Sequence, residues 1–186
     1  MKKAMKQFSS WYKDGLNPGT LALNLAMKQL NEKDFIPMLL NVMNSMNFQP
    51  KWLELEVTES QVMHDPDTAI LKLKEISDIG IELAIDDFGT GYSSLAYLKK
   101  LPLDKLKIDQ SFIKDIPQDE DDLAITKAII ALGKSLNLTL IAEGVETKEQ
   151  RDFLLQNGCD TIQGYFYSMP MPSEKITELL KKSNKT

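Results

Sequence analysis

Asp86 and Asp87 close the apolar run Leu83-Ala84-Ile85, and a loop hinged on two glycines follows at once: Phe88, Gly89, Thr90, Gly91, Tyr92 and Ser93. After a short helix comes Lys107, with Asp109 two residues on. Paired carboxylates offer hard oxygen ligands to a divalent cation, and glycines let a loop move over a ligand. A lysine can orient or deprotonate water. Taken alone, Asp-Asp and Gly-x-Gly make an equally good solvated turn. Four more polar residues break other apolar runs: Asn24 in LALNLA, Glu56 in WLELEV, Glu143 in LTLIAE and Gln163 in TIQG.

The elements that must carry these residues alternate. An amphipathic helix over 2–14, with Ala4, Met5, Phe8, Trp11 and Tyr12 at helical spacing and Gly15 as its stop, opens the chain. Strands are predicted at LALNLA (21–26), WLELEV (52–57), IELAID (81–86), LDKLKID (103–109), LTLIAE (138–143) and around TIQG (161–164). In WLELEV, Leu53, Leu55 and Val57 share one face and Glu54 and Glu56 the other. Between the strands lie helical stripes. Phe35, Met38, Leu39, Val42, Met43 and Met46 form one, residues 67–79 a second, and Ile125, Ala128, Ile129, Leu132 and Leu136 a third. Thr147 and Gln150 read as a capping box for a helix stopping at Asn157-Gly158, and a last helix starts at Ser173. The one histidine, His64, falls in QVMHDPD, which reads as a solvated loop.

Alternating strands and helices predict a parallel sheet covered by helices. The polar residues singled out lie late in their strands, and all six strands contribute. That is the arrangement of a (β/α) barrel active face, where strand C-termini carry the chemistry. The fold class is therefore α/β, an incomplete TIM-type (β/α) barrel with about six of eight strands; the deficit of two strands and one helix lies at the front. No linker or low-complexity stretch divides the chain, so residues 1–186 are expected to form one domain.

Bulk properties narrow the partners. The chain has 186 residues, 42% hydrophobic and 26% charged, with a net charge of −5 and no basic cluster to meet a phosphate backbone. Nucleic-acid polymers are therefore not expected partners. Cys159 alone cannot form an internal disulfide, in keeping with a reducing, cytoplasmic setting. No apolar run approaches membrane-spanning length, so no membrane contact is expected of this segment. Asp-Phe-Gly occurs without the glycine-rich loop, VAIK lysine or HRD loop of a kinase.

These residues bring a family into view. LNLA, LELEVTES, IDDFGTGYSSLAYLKKLPLDKLKID, IAEGVET and QGYFYSMP together resemble the EAL domain of bacterial cyclic di-GMP phosphodiesterases. The resemblance covers nearly the whole chain. It implies metal-dependent hydrolysis of cyclic di-GMP to linear pGpG, with Mg²⁺ or Mn²⁺, two ions per complete site. It further implies Asn24, Glu56, Asp86, Asp87 and Glu143 as metal ligands, and Lys107, Glu143 and Gln163 as catalytic groups. Lys107 beside two cations is expected to have a lowered pKa, with Asp109 on the same strand face supporting it. Glu59 and Glu146 would anchor the substrate loop 88–93, and a homodimer is the expected assembly. The Glu-Ala-Leu tripeptide and its following arginine are expected upstream of Met1. The chain is therefore expected to be N-terminally truncated and weakly active or inactive, with the possibility of a non-catalytic binding module on the same scaffold.

Overall fold

The chain alternates strand and helix from end to end. The computed structural model describes residues 1–91 and 94–183; Tyr92 and Ser93 of the expected substrate loop lie outside the described residues. Helix α1 (Lys2–Lys13) leads into β1 (Leu21–Asn24), then α2 (Met27–Leu30) and α3 (Phe35–Met46). Strand β2 (Leu53–Thr58) is followed by α4 (Glu59–His64) and α5 (Pro66–Ser77), and β3 (Glu82–Phe88) by α6 (Leu95–Leu98). Strand β4 (Lys105–Ile108), α7 (Glu120–Ser135), β5 (Thr139–Ala142), α8 (Lys148–Gln156), β6 (Thr161–Ile162) and α9 (Ser173–Ser183) complete the order.

The strands form one sheet in sequence order, β1-β2-β3-β4-β5-β6, and every neighbouring pair is parallel. Among the described residues the sheet does not close on itself, so β1 and β6 are its edges. This is an incomplete (β/α) barrel. Alternation decides what each face sees. Leu53, Leu55, Val57, Leu83, Ile85, Leu106 and Ile108 are all fully buried in the core against the helices. Their neighbours Glu54, Glu56, Lys105 and Lys107 point to the opposite, charged face.

Three local expectations change. QVMHDPD is not a loop: Gln61 to His64 belong to α4, and Asp65 then caps α5 by accepting from Thr68 N at 3.3 Å. Pro66 at the first helical position, with its fixed φ, starts that helix. His64 is exposed all the same. On α7 the buried stripe is Thr126, Ile129, Ile130 and Gly133, while Ile125 and Ala128 face solvent. Two contacts set this rotation. Thr126 Oγ1 donates to the Phe112 carbonyl at 3.1 Å, and Gly133 sits where a Cβ would collide with Leu140. Met38 of α3, placed in the apolar stripe, is likewise turned outward, 47% exposed.

Candidate active site

Lys107 organises the C-terminal end of the sheet. Its Nζ lies 2.8 Å from Glu56 Oε1, 3.0 Å from Asp86 Oδ1 and 2.8 Å from Glu143 Oε1. Three strands supply these partners, each from beside or just past its last turn of pleat. Glu56 on β2 stands in register with Asn24 on β1, which places Asn24 at the same level, exposed at the sheet edge. Lys107, Glu56 and Asp86 are 4%, 8% and 8% exposed, so charge here is set by near neighbours rather than by water.

A bulge brings the two aspartates together. Ile85 pairs with Leu106, but Phe88 pairs with Ile108, so three steps along β3 match two along β4. In a regular strand Asp86 and Asp87 would face opposite sides; the extra residue re-aims one of them. Asp87 takes up the bulge with φ +54°, a left-handed conformation that Asp tolerates better than most residues. As a result one ligand oxygen from each of Asp86, Asp87 and Glu143 lies within 4.8 Å of the others.

The electrostatics follow from that crowding. Burial raises the Asp87 carboxyl above its ordinary range, and the charges of Asp86 and Asp109 add to it. Burial also raises Glu143, with Asp86 and Glu56 adding and Lys107 opposing. For Lys107, burial disfavours the ammonium, but hydrogen bonds to Glu143, Glu56 and Asp86 outweigh it and hold the group above the ordinary lysine value. The lowered Lys107 pKa was expected from two cations; the chain's own groups push it the other way, because the ammonium meets three carboxylates. Nor does Asp109 pair with Lys107. Its Oδ1 accepts from Ser111 N at 2.9 Å, capping a 3-10 turn, and the side chain is turned toward Asp87.

These donors fit a hard divalent cation. They are carboxylate oxygens crowded together, Asp86 buried and Asp87 and Glu143 partly so; burial raises Asp87 and Glu143, and the neighbouring like charges add to it.

The loop after β3 is held from below. Glu59 is 1% exposed, and its Oε2 accepts from Gly89 N at 2.9 Å. Gly89 is required there: its φ is +101°, and a Cβ would lie 2.7 Å from the Phe112 ring. Phe88 is in the core, Thr90 Oγ1 donates to the Asp87 carbonyl at 2.8 Å, and Gly91 packs on the Glu59 carboxylate. Glu146 stands elsewhere. It lines the wall of a cleft, and among the described residues no hydrogen bond or ion pair joins its carboxylate to this loop.

That cleft, about 720 Å³, opens beside the acids. Asp87, Asp109, Glu143 and Gln163 form one end of it, while Tyr165, Met169, Met171, Ile176 and Leu179 form an apolar side. The acids and Gln163 stand out in the sequence; the apolar side does not, although Met169-Pro170-Met171-Pro172 is legible as a run unable to continue a strand. A second ionic group lies one layer down, where Lys105 Nζ meets Glu54 at 2.5 Å and Glu82 at 2.7 Å. The alternation LELE and KLK carries that signal.

Parallel strands, an acidic cation-type centre at their C-terminal ends and a half-apolar cleft beside it define an α/β barrel-type domain with its active face at the top of the sheet. Comparison with known proteins makes this specific. The EAL domain family matches residues 1–170, and the chain belongs to that family. It is 43% identical over 176 residues to the bifunctional diguanylate cyclase/cyclic di-GMP phosphodiesterase MucR of Pseudomonas aeruginosa, covering 95% of this chain and 26% of that protein. It is 40% identical over 181 residues to the cyclic di-GMP phosphodiesterase NbdA of the same organism, covering 97% and 23%. The chain thus spans about a quarter of the length of these curated relatives. Among solved structures, the P. aeruginosa MucR phosphodiesterase in complex with cyclic di-GMP superposes with a TM-score of 0.90 at 43% identity, over 94% of this chain and 71% of that one. The manganese and cyclic di-GMP complex of Klebsiella pneumoniae BlrP1 gives 0.83 at 30% identity, over 92% and 43%.

Proposed function

We propose that this domain hydrolyses cyclic di-GMP to linear pGpG, using two Mg²⁺ or Mn²⁺ ions held by Asn24, Glu56, Asp86, Asp87 and Glu143. The observation that carries this reading is the convergence of Asp86, Asp87 and Glu143 beside a cleft large enough for a dinucleotide. Likeness to the MucR and NbdA phosphodiesterases supports the substrate. Bound divalent cations would neutralise the phosphodiester and ease ionisation of an attacking water. The chain's own residues do the rest. Lys107 keeps its proton on Nζ and donates toward the reacting phosphate or its water. Gln163, at the same end of the cleft, orients that water through its amide. Glu59 fixes Gly89, and with it the start of the substrate loop, over the acids. Glu146 acts from the cleft wall.

The domain works as a homodimer in the cytoplasm. The open edges of the sheet, the exposed Leu95 on α6 and the buried free thiol of Cys159 support this. No described helix is long and apolar enough to cross a membrane.

The test is chromatographic. Wild-type chain and Glu56→Ala are incubated with cyclic di-GMP and Mg²⁺, Mn²⁺ or chelator, and pGpG is quantified. A low, cation-dependent yield of product that disappears in the variant is expected; absence of product with every cation overturns hydrolysis by this chain. One observation favours a second reading, a binding module without turnover: Lys107 already pairs with three of the five proposed ligand residues, Glu56, Asp86 and Glu143. Calorimetry showing tight cyclic di-GMP binding with no pGpG would select it.

A further inference from the structure

Helix α9 lies beyond the part of the chain that matches the EAL family, yet it builds one side of the cleft. Ile176 and Leu179 face the same cavity as Asp87 and Glu143. The helix is lightly docked. None of its described residues is buried, and Ile176 and Leu180 only lean against the core. Leu179 remains 50% exposed. One polar link fixes its place: Trp11 Nε1 of α1 donates to Thr177 Oγ1 at 2.7 Å, across 166 residues of sequence. Thr177 Oγ1 passes the bond on, donating to the Ser173 carbonyl at 2.8 Å, so the hydroxyl has a defined rotamer. Trp11 itself is buried, 8% exposed, with its ring edge-on to Phe8. Among the described residues this is the side-chain hydrogen bond that joins α9 to the remainder of the fold.

We propose that Trp11 and Thr177 are positioning residues for the substrate cleft: their hydrogen bond fixes α9 so that Ile176 and Leu179 form an apolar wall of the cavity the acids also line. A helix with few buried contacts opens easily, so a single directional bond to a buried indole has a large share in where the wall stands. The ligand surface in question is apolar and planar, the face of a nucleobase, and it packs on the wall while the phosphodiester meets the carboxylate end. This rests on the phosphodiesterase reading for the identity of the ligand, but not for the link itself.

Four variants separate the link from a general loss of packing. Trp11→Phe removes the donor and keeps an aromatic ring, Thr177→Val removes the acceptor at constant shape, Thr177→Ser keeps the hydroxyl, and the double variant removes both partners. The measurements are KM and kcat for cyclic di-GMP (or its Kd, if the chain binds without turnover), the affinity for Mn²⁺ alone, and backbone hydrogen exchange. Loss of one hydrogen bond predicts about a five-fold rise in KM or Kd in Trp11→Phe and Thr177→Val alike. The double variant should be no worse than either, Thr177→Ser should match wild type, and kcat and Mn²⁺ affinity should not change. Additive effects of the two single changes, or an unchanged KM in both, overturn the proposal. If the wild-type chain neither binds nor cleaves cyclic di-GMP, the functional reading falls and exchange decides the link by itself. Faster exchange at both 173–183 and 165–171 in the two variants upholds it; unchanged exchange overturns it.

Discussion

Lys107 is the residue on which the charges of the site depend. It stands among Glu56, Asp86 and Glu143, and in the absence of a cation it is their counter-ion. Lys107→Met would leave three buried or half-buried carboxylates without it. Removing one partner of such a network costs about 3 kcal/mol, which urea denaturation would read. Mn²⁺ should restore more stability to this variant than to wild type. Stability also has a pH signature. A lysine raised on folding contributes fully below its ordinary value of 10.5, and that contribution is lost as pH rises above it. An alkaline fall in wild-type stability, smaller in Lys107→Met but not abolished because Lys105 is raised as well, is the expected outcome. The acids behave oppositely. Asp87 and Glu143 are raised from 3.8 and 4.5, so they hold protons into a range where free carboxylates are ionised. Protons compete with metal for the same oxygens. Mn²⁺ affinity, measured by calorimetry, should therefore begin to fall above pH 4.5 as the solution is acidified.

At the scale of elements, β3 and the loop after it convert a strand into a site. The bulge at Asp87 depends on a left-handed backbone, which Asn accepts and Val does not. Asp87→Val should lose about 1–2 kcal/mol more stability than Asp87→Asn in paired denaturation curves, although both remove the carboxylate. The loop is tied to α4 by a charge-assisted bond from Gly89 N to Glu59. Glu59→Ala leaves that N–H unpaired beside a packed ring, at a cost of about 2 kcal/mol. The Gly89 amide should then exchange hydrogen faster by NMR or mass spectrometry, while the amides of β4 should not.

At the scale of the whole molecule, the open sheet matters most. Among the described residues, strands β1 and β6 each present an unpaired edge, and such edges recruit partners unless they are covered. Light scattering on eluting protein should therefore report twice the 21.1 kDa chain mass over a range of concentrations. A constant monomer would remove the homodimer from the functional reading. The charged face of the sheet also differs from a typical barrel interior, which apolar side chains fill in layers. Here Glu54, Glu82 and Lys105 form an ionic layer beneath Glu56, Asp86 and Lys107.

The sequence by itself determined the order of elements, the parallel α/β class and the level at which the polar residues stand. Those properties are local: alternation in LELEV and KLKI sets the faces, and glycines and caps set the ends. The family was equally legible, because its long central motif is contiguous. The partners of each charge were not. A strand pattern would send Asp86 and Asp87 to opposite sides, and only the register shift against β4 brings them together. Lys107 could be assigned to Asp109 on spacing, and only the packing of β2, β3 and β5 around it gives it three other carboxylates. The turned stripe of α7 has the same cause, contacts with Phe112 and Leu140, whereas the helix start just after His64 was encoded locally by the Asp65 cap and Pro66. The wall of the cleft was furthest from reach. Trp11 and Thr177 lie at opposite ends of the chain, and nothing local to either encodes the other; the fold had to bring α1 and α9 together before that bond could exist.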